Sequence, residues 1–571
     1  MKKLLALILV IAVGMGLLTA CVDNLPPETE TGNDATAPSV DYEELGLEAV
    51  KEKGPDKIAD DAVLKLWVLD QPTCVTDYSQ NLMTRWFEAK TGVKLEWTVV
   101  PQSGFQDKFT TSIASGTYPD IYNSYLTTTE MALYGGPNGI FVAIDDLIDQ
   151  GWMPNLKAYI EANPIFDGLR SEDGKLYGIP TYSSAPHMLF QKKVWVNKTW
   201  LEQYIADGGK SPDTTEEFEQ MLIYFRDHDM NDNGDTTDEV PMSGCQQSGW
   251  GTDPTCWLMC PFALVNGEGQ DAQFLVADED GNISWVGGTD AYREGLRWAH
   301  GLVEQGLLDK AIYTQDTGLY KAMVTDNIVG VVAGAEEAQF CLDSTQYDNW
   351  VALAPLEGPT GLRQVAVYSR EYSTVSYSVA ITRSCQNLEV AAKWLDYFFT
   401  EEGSRVAAFG FEGFNYDYSD TAALDGTTPS ILRYPDTEAN INTRWGHMVA
   451  PSMDLSLKES ASEGTSVRLQ QAAKIYEPYL TETGIPLVAF PLSEEEERAK
   501  SEAFDWVVLQ TYYKSFRFVT GQKDKDLANR EPLDINNDEH WQNYLILESS
   551  GVAAGFDRNA GDAGRLRGTE A

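Results

Sequence analysis

The strongest constraint on the fold is a regular alternation of strand-like and helix-like segments that begins at Leu64. Leu64–Leu69 is an apolar run typical of a buried strand, and Val93–Val100 alternates as a strand with one exposed face does. Between them, Tyr78–Thr91 spaces its apolar residues as a helix does, and Gly92 follows as a common helix end. Because parallel strands need a long crossover, this order predicts a parallel α/β sheet.

The same rhythm continues through most of the chain. No internal repeat is visible at the periods of about 20–50 residues that solenoids and propellers show, so those folds are not expected. The further predicted helices are Gln106–Ser115, Ala291–Gln305, Asn387–Glu402 (ending at Gly403) and Glu494–Phe516, and the further predicted strands are Pro119–Tyr122, Ile328–Val332 and Val375–Ile381.

The charge balance excludes some classes of partner. The chain has 42 Lys and Arg residues against 87 Asp and Glu residues, a formal net charge of −45. Nucleic acid is therefore not an expected partner, because phosphate binding needs a basic surface. The same acidity argues against a polybasic attachment to anionic lipid. Most of the charge is expected on a solvated exterior that keeps the protein soluble.

The N-terminus reads as a targeting signal rather than as part of the fold. Lys2 and Lys3 precede an apolar run from Leu4 to Leu18, which is shorter than the about 20 residues of a membrane span. Leu18-Thr19-Ala20-Cys21 then matches a bacterial lipobox, which predicts cleavage of a signal peptide (residues 1–20) and lipidation of Cys21. A plain signal peptide with a nearby cysteine is the alternative. Several acyl chains would anchor the protein, because one chain alone binds membranes weakly.

Residues 21–61 are predicted to form an acidic, disordered tether behind the lipidated cysteine. Segments such as Pro26–Gly32 and Asp34–Pro38 are rich in Pro, Thr and acidic residues and almost free of large apolar ones. Such composition cannot bury enough surface to fold. The tether would let a globular body stand away from the membrane.

Several short motifs, taken together in their order, resemble one family. They are Trp86–Val93, Ala114–Ile121 (with Ser-Gly-Thr-Tyr-Pro-Asp), Tyr177–Pro180, Ala354–Pro359, Ile381–Arg383 and Phe518–Gly521. No single motif is specific, but their spacing over residues 64–550 is similar to that of the carbohydrate-type extracellular solute-binding lipoproteins of ABC importers.

The resemblance implies an α/β, two-lobed periplasmic-binding-protein-like fold with hinge crossings near Ile179–Tyr182 and Tyr372–Tyr377 and a ligand cleft between the lobes. It implies a monomeric, non-enzymatic receptor that captures a carbohydrate, expected to be an oligosaccharide, and delivers it to ABC transporter permease subunits. A palmitate-type lipid anchor on the extracellular face of a Gram-positive cell membrane completes the expectation. The implied organisation is a first lobe at 62–180 (with part of 376–450), a second lobe at 181–375, returning segments of both lobes at 376–550 and a tail at 551–571.

Other functions remain open from the sequence. A membrane-anchored glycoside hydrolase needs two carboxylates across a cleft, and the many acidic residues do not exclude such a pair. The fold is also reused for peptides and other polar solutes, and a tethered adhesin is a further alternative. The motifs of serine hydrolases, zinc proteases and P-loop enzymes are not found in the sequence.

Sugar recognition suggests which residue types to look for. Aromatic rings cover the C–H faces of sugars, and amides or carboxylates bind their hydroxyl groups. Such residues are expected on loops after strands, at the carboxyl edges of the sheets. The candidate ligand-binding residues are Asp70, Gln71, Asn123, Tyr125, Tyr182, Trp250, Trp257, Glu336 (with Glu337 beside it), Tyr372 and Trp445. For each of them, core packing or a solvated surface is the alternative.

Residues 229–239 form the sharpest local motif. Oxygen-bearing side chains alternate before Gly234, and two carboxylates follow, which is a pattern that suits Ca²⁺. The motif is not a standard EF-hand, because Val240 occupies the position of the closing Glu. The predicted ligands of a structural calcium ion are Asp229, Asn231, Asn233, Asp235 and Asp238 or Glu239. An Asx-rich turn without metal is the alternative.

Six cysteines remain after Cys21. They are Cys74, Cys245, Cys256, Cys260, Cys341 and Cys385. An exported protein permits disulfides, and the close spacing of Cys245, Cys256 and Cys260 would allow a bridge among them. Buried thiols are the equally weighted alternative.

Overall fold

Two larger sheets, of five and four strands, organise the described residues in a computed structural model, and two further sheets have two strands each. The strands are β1 (Ala62–Leu69), β2 (Val93–Val100), β3 (Ile121–Leu126), β4 (Ile179–Ser183), β5 (Val194–Asn197), β6 (Val240–Ser243), β7 (Leu275–Ala277), β8 (Ile283–Trp285), β9 (Val329–Ala333), β10 (Trp350–Ala352), β11 (Thr374–Ile381), β12 (Tyr416–Ser419) and β13 (Ser430–Arg433). The structure describes residues 57–545, except for 71–74, 102–103, 127, 137, 184–185, 247–249, 266–273, 278–282, 366–373, 424–425, 435–441, 446–458, 461–464, 481–514, 516 and 521–532.

Helices connect most of these strands. They are α1 (Leu82–Thr91), α2 (Phe105–Ser115), α3 (Thr128–Gly135), α4 (Ile144–Asp149), α5 (Pro154–Ala162), α6 (Pro186–Leu189), α7 (Lys198–Ala206), α8 (Thr215–Asp227), α9 (Thr255–Met259), α10 (Asp290–Glu304), α11 (Thr317–Thr325), α12 (Leu388–Asp396), α13 (Glu401–Phe409) and α14 (Thr465–Tyr476). Within the described residues, no helix has the length and apolar character to cross a membrane.

The first sheet has the order β2-β1-β3-β11-β4. Strands β1, β2 and β3 are parallel, and β11 runs antiparallel between β3 and β4. The predicted strand–helix–strand rhythm is therefore correct here: β1, α1, β2, α2 and β3 follow one another as the sequence pattern indicates. The side chain of Asn81 starts α1 by accepting a hydrogen bond from the backbone N–H of Met83.

The second sheet has the order β10-β5-β9-β6. The edge strand β6 runs parallel to β9, and β5 lies antiparallel on the other side of β9. β9 is buried along its whole length, as a central strand covered by helices on both faces should be. Buried residues of α8, α9 and α10 form the largest hydrophobic core of this second lobe.

The chain passes between the lobes through paired strands. β4 precedes the first residues of the second lobe, β11 brings the chain back, and the two strands pair with each other from Thr374 opposite Ser183 to Val379 opposite Ile179. The register shifts between Tyr377 and Val379 on both sides of β11. The crossings inferred from the resemblance thus fall on hydrogen-bonded neighbours, and the sheet is irregular where they meet.

One predicted helix is wrong in its extent. The segment predicted as a single helix from Asn387 to Glu402 breaks at Thr400, whose side chain accepts a hydrogen bond from the N–H of Gly403 and starts α13. Gly403 is therefore inside a helix rather than at its end. A Cβ atom there would lie 2.0 Å from the carbonyl oxygen of Tyr397, so close backbone packing requires the glycine. The predicted helix Glu494–Phe516 lies mostly outside the described residues, and its structure is not described.

Candidate functional site

The carboxyl ends of β1, β3 and β4 share one edge of the first sheet, and several predicted ligand residues lie there. Asp70 directly follows β1, and Asn123 and Tyr125 lie in β3, where Asn123 stands opposite Val68 of β1. Tyr182 is the penultimate residue of β4, paired with Val375 at the start of β11. Binding sites in open α/β sheets form beyond this edge. The topology therefore brings together residues that are far apart in the sequence.

Two polar atoms in β3 are buried without a partner in the described part of the chain. They are the side-chain Oδ1 of Asn123 and Oγ of Ser124, in residues that are only 2% and 1% exposed. The pairing of β3 with β11 is irregular here. Leu126 lies opposite Tyr377 and Asn123 opposite Val379, so β3 has one more residue than β11 between these two pairs. Buried polar atoms are usually satisfied. Asn123 is a predicted site residue, whereas Ser124 gave no signal in the sequence.

At the second sheet, the carboxyl ends of β6 and β9 carry Trp250 and Glu336. The loop after β6 contains Trp250, and the segment after β9 contains Ala335 and Glu336. The backbone N–H of Ala335 donates to the carbonyl oxygen of Trp250 at 3.0 Å. The two predicted residues, 86 positions apart in the sequence, are thus neighbours in the structure.

Trp250 is half-buried, and hydrogen bonds fix both its ring and its backbone. Its Nε1 donates to the side-chain Oε1 of Gln191 at 2.7 Å, and its backbone N–H donates to Oε1 of Gln339 at 3.2 Å. No aromatic ring of the described residues pairs with the Trp250 indole. Since its ring N–H is satisfied within the protein, the indole has only its apolar surface to offer a ligand.

Glu336 supplies a half-buried carboxylate at the same edge of the sheet. One of its oxygens accepts a hydrogen bond from Nε2 of Gln339 at 3.3 Å, and Gln339 also accepts from the backbone N–H of Trp250. A carboxylate has capacity for several further hydrogen bonds. One glutamine side chain therefore connects the residue that carries the apolar ring with the residue that carries the polar acceptor.

A buried lysine lies beneath this edge. Lys193 is fully buried, and its Nζ donates to the carbonyl oxygens of Ala335 at 2.8 Å and His187 at 3.2 Å. Burial lowers the pKa of Lys193 to about 7, although the charges of Glu336 and Glu337 oppose that shift. Burial, together with the charge of Lys193, lowers the pKa of His187 to about 3. Lys193 had no signal in the sequence, because it precedes an apolar strand like any surface lysine.

Glu337 has a structural position. It is 0% exposed and is paired with Arg468 of α14, which also contacts Asp348. Burial raises the pKa of the Glu337 carboxyl, and the Arg468 guanidinium opposes the shift. The pair ties α14, a returning segment, to the second lobe. It could not be predicted from two residues separated by 131 positions.

Two of the predicted tryptophans lie in cores instead. Trp445 is 0% exposed, its ring stacks on Phe87 at 5.6 Å, and its Nε1 donates to Thr84 at 2.8 Å. Trp257 is 4% exposed and packs edge-on against Phe218 at 5.3 Å. Their rings are covered by protein, which favours the core-packing alternative for both residues. Gln71 and Tyr372 lie outside the described residues, as do the side chains of Tyr125 and Tyr182.

The predicted calcium loop is folded as a series of Asx turns after α8. Asp229 accepts hydrogen bonds from the N–H groups of Asn233 at 3.1 Å and Gly234 at 2.8 Å, and Asn233 donates its amide to Asp238 at 2.7 Å. Glu239 is buried, accepts from the N–H of Met230, and its pKa is raised by burial.

Two carboxylate oxygens of this loop have no hydrogen-bond partner in the described part of the chain. They are Oδ1 of Asp238 and Oε2 of Glu239, both buried. Unpaired buried carboxylate oxygens are costly unless a cation binds them, so the donor set fits a hard divalent cation. Among the described residues, however, no group of three or more His, Cys, Asp or Glu side chains is arranged to hold a metal ion.

The five described cysteines are buried thiols rather than disulfide halves: Cys245, Cys256, Cys260, Cys341 and Cys385. The bridge considered among Cys245, Cys256 and Cys260 is therefore not formed. Burial raises the pKa of Cys341 and, to about 11, that of Cys385. Cys74 lies outside the described residues.

Comparison with known proteins decides the family. The family model of the bacterial extracellular solute-binding proteins matches residues 75–405, more than half of the chain. The chain belongs to this family. That match confirms the resemblance inferred from the motifs at Trp86–Val93 and Ala114–Ile121, both of which lie within the matched region.

Individual relatives agree with this assignment. The fructooligosaccharide ABC transporter substrate-binding protein FusA of Streptococcus pneumoniae is 29% identical over 421 residues, which cover 70% of this chain and 74% of FusA. Lipoprotein LipO of Bacillus subtilis is 24% identical over 380 residues, 63% of this chain and 69% of LipO.

Solved structures confirm the two-lobed periplasmic-binding-protein-like fold. An EF-hand mutant of S. pneumoniae FusA in complex with fructo-nystose superposes with a TM-score of 0.69 at 22% identity, covering 88% of this chain and 100% of FusA. An HMO-binding, ABC-transporter-associated solute-binding protein of Bifidobacterium longum infantis gives a TM-score of 0.67 at 17% identity, and the match covers 88% of this chain and 97% of that protein. At these identities the likeness establishes the fold.

Proposed function

We propose that this solute-binding protein captures an oligosaccharide between its two lobes and presents it to the permease of an ABC importer. The observation that carries the proposal is that the fixed, half-buried Trp250 ring and the Glu336 carboxylate both lie at the carboxyl edge of the second sheet, on residues that Gln339 connects. Such a pair suits a sugar, whose C–H face stacks on a ring while its hydroxyl groups donate to a carboxylate. The name of the relative FusA, a fructooligosaccharide ABC transporter substrate-binding protein, supports the same ligand class.

The first lobe would complete the site from the opposite side. Asp70, Asn123 and Ser124 lie at the carboxyl edge of the first sheet, and the unpartnered side-chain atoms of Asn123 and Ser124 suit ligand hydroxyl groups. Tyr125 and Tyr182 remain proposed contacts in the same edge. Closure would follow from rotation about the paired strands β4 and β11, a hinge motion typical of this architecture.

We infer that the protein acts without turning over its ligand. Its family consists of solute-binding proteins, and ATP would be hydrolysed by partner subunits of the importer. The glycoside hydrolase considered above would need an acid and a base on either side of one glycosidic bond. Recovery of an unchanged ligand after prolonged incubation would distinguish the two activities.

Lipidation at Cys21 remains our proposal for the attachment to the membrane. The lipobox Leu18-Thr19-Ala20-Cys21 supports it, as does the similarity to a protein named lipoprotein LipO. Cys21 and the tether lie outside the described residues. Mass spectrometry of the membrane-associated protein should find a diacylglyceryl group on Cys21, and Cys21→Ser should release the protein into the medium. Membrane association that survives this substitution would contradict the lipid anchor.

We further propose that the loop 229–239 binds a structural Ca²⁺. Asp229, Asn231, Asn233 and Asp235 would supply oxygens with Asp238 and Glu239, whose unpartnered carboxylate oxygens lack any other counter-charge in the loop. The mention of an EF-hand in the solved FusA mutant supports a comparable site in that relative. Bound calcium would offset the repulsion among these carboxylates and hold the loop against β6.

The proposed ligand class can be tested with a thermal-shift screen of the purified protein against fructooligosaccharides, other glycans, peptides and amino acids. We expect stabilisation by one class of oligosaccharide and none by peptides. If only peptides stabilise the protein, the proposed carbohydrate ligand is wrong and the ligand is a peptide.

A further inference from the structure

We propose that Gln191 is a positioning residue that holds the Trp250 indole in the orientation required for ligand stacking, and thereby sets the affinity for the ligand. The inference rests on the proposed capture of a carbohydrate. Gln191 is 4% exposed and lies between α6 and β5, so its side chain belongs to the protein interior while Trp250 is half-buried. Gln191 acts through Trp250 and needs no contact with the ligand.

The hydrogen bond from Trp250 Nε1 to Gln191 Oε1 is short, at 2.7 Å. A buried amide has limited freedom to move, so this bond fixes the rotation of the indole about its side-chain torsions. Without an acceptor at this place, the ring N–H would need water or another partner. The indole would then sample several orientations, of which few suit a stacked sugar.

The backbone directly after Trp250 is fixed as well. Gly251 has φ +73°, and a Cβ atom there would lie 2.3 Å from the carbonyl oxygen of Gln191 and 2.5 Å from the backbone nitrogen of Ala335. The backbone of Gly251 therefore packs closely against the backbones of Gln191 and Ala335. Only a residue without a side chain permits that approach. The same segment that positions the indole nitrogen therefore also positions the backbone of the loop.

Gln339 links the Trp250 backbone to the Glu336 carboxylate. Its Oε1 accepts from the backbone N–H of Trp250 at 3.2 Å, and its Nε2 donates to Glu336 at 3.3 Å. Side chains of the protein, rather than the ligand, therefore hold both residues in place. A preorganised pair of this kind binds more tightly, because less freedom is lost when the ligand arrives.

The test is a double-substitution cycle measured by isothermal titration calorimetry on the purified full-length protein, with kestose and nystose as probes. Gln191→Met keeps the length of the side chain but removes a strong acceptor. Gln191→Glu keeps an acceptor and serves as the conservative rescue. Trp250→Phe keeps an aromatic face but has no ring N–H, so the hydrogen bond between residue 250 and Gln191 is removed.

We expect Gln191→Met to weaken binding about tenfold, as loss of a hydrogen bond to a partly buried group does. Gln191→Glu should stay within about threefold of the wild type. In the Trp250→Phe background, Gln191→Met should add less than about twofold, because the bond is already absent. A purely structural role for Gln191 would instead lower affinity equally in both backgrounds.

If the wild type binds the probes, two results would overturn the role of Gln191 and leave the proposed function standing. They are an unchanged affinity in Gln191→Met and an equal loss of affinity in both backgrounds. Failure of the wild type to bind either probe or any other glycan would overturn the proposed function, and this inference with it. A melting temperature measured for each variant shows whether a loss of affinity reflects unfolding.

Discussion

The Nζ of the fully buried Lys193 lies 2.8 Å from the carbonyl oxygen of Ala335. The backbone N–H of Ala335 in turn donates a hydrogen bond to the carbonyl oxygen of Trp250. A second bond from the same Nζ reaches the carbonyl oxygen of His187, close to the point where the chain enters the second lobe. One cation therefore joins the entry segment to the edge that carries Trp250 and Glu336. Its burial has a consequence for stability that depends on pH.

Lys193 should make the stability of the protein rise with pH above neutrality. Its pKa of about 7 in the folded protein lies below the value of about 10.4 in an unfolded chain, so the unfolded chain binds more protons between these values. The cost of the buried charge is complete below about pH 7 and is relieved as the pH rises. The free energy of unfolding of the wild type, relative to Lys193→Met, should increase by up to about 1.4 kcal/mol per pH unit from about pH 7 to 10.

Denaturant unfolding at several pH values would measure this difference. Lys198→Met is the matched control, because Lys198 is an exposed lysine in α7 of the same lobe. This control shows the effect of removing one lysine from the surface of the same lobe. A difference between Lys193→Met and the wild type that is flat with pH would show that Lys193 keeps an ordinary pKa in the folded protein.

Trp250 and Trp445 should respond in opposite ways to replacement by alanine. Trp250→Ala removes a half-buried ring and should weaken oligosaccharide binding at least tenfold while changing stability by less than about 1 kcal/mol. Trp445→Ala empties a site in the aromatic core beside Phe87 and should cost about 3–5 kcal/mol. Calorimetric titration and denaturant unfolding of both variants would test this pair. A strong loss of affinity in a stably folded Trp445→Ala would contradict its placement in the core.

Glu336→Gln should weaken binding about tenfold, because a neutral amide is a poorer acceptor of hydroxyl hydrogen bonds than a carboxylate. Glu216→Gln is the control. It removes one exposed carboxylate from the first turn of α8 in the same lobe, and its affinity should equal that of the wild type. Equal losses in both variants would point to a general effect of charge instead of a contact at Glu336.

Removal of calcium should lower the thermal stability of the protein. A chelator should reduce the melting temperature of the wild type, and added Ca²⁺ should restore it, since a ligand that binds only the folded state stabilises it. Asp238→Asn should abolish most of the response. Asp232→Asn, at an exposed position in the same loop, should keep it. Melting curves that do not change with chelator or Ca²⁺ would remove the proposed metal site.

Much of the fold could be predicted from the sequence. β2 begins and ends at the predicted residues, Val93 and Val100, and α10 differs from its prediction by one residue at each end. These segments have strong periodicity and clear ends. The break at Thr400 could not be predicted, because it depends on the packing of Gly403 against Tyr397, and Gly after an apolar helical stretch usually marks an end.

The candidate site was harder to predict for a physical reason. Loop aromatics such as Trp250, Trp257 and Trp445 are equivalent as sequence signals, and only the fold determines that Phe218 and Phe87 cover the last two. The supporting residues Gln191 and Lys193 have no local pattern at all. Their role depends on contacts with Trp250 and Ala335, which lie 59 and 142 positions away.

Under the proposed function, the protein binds an oligosaccharide at the Trp250–Glu336 edge and leaves it intact. The most direct test is calorimetric titration of kestose into the calcium-loaded protein, followed by chromatographic recovery of the sugar. We predict saturable binding at one site, complete recovery of unchanged kestose, and at least tenfold weaker binding in Trp250→Ala. Absence of binding by kestose, nystose and every other glycan tested, or release of monosaccharides, would contradict the account.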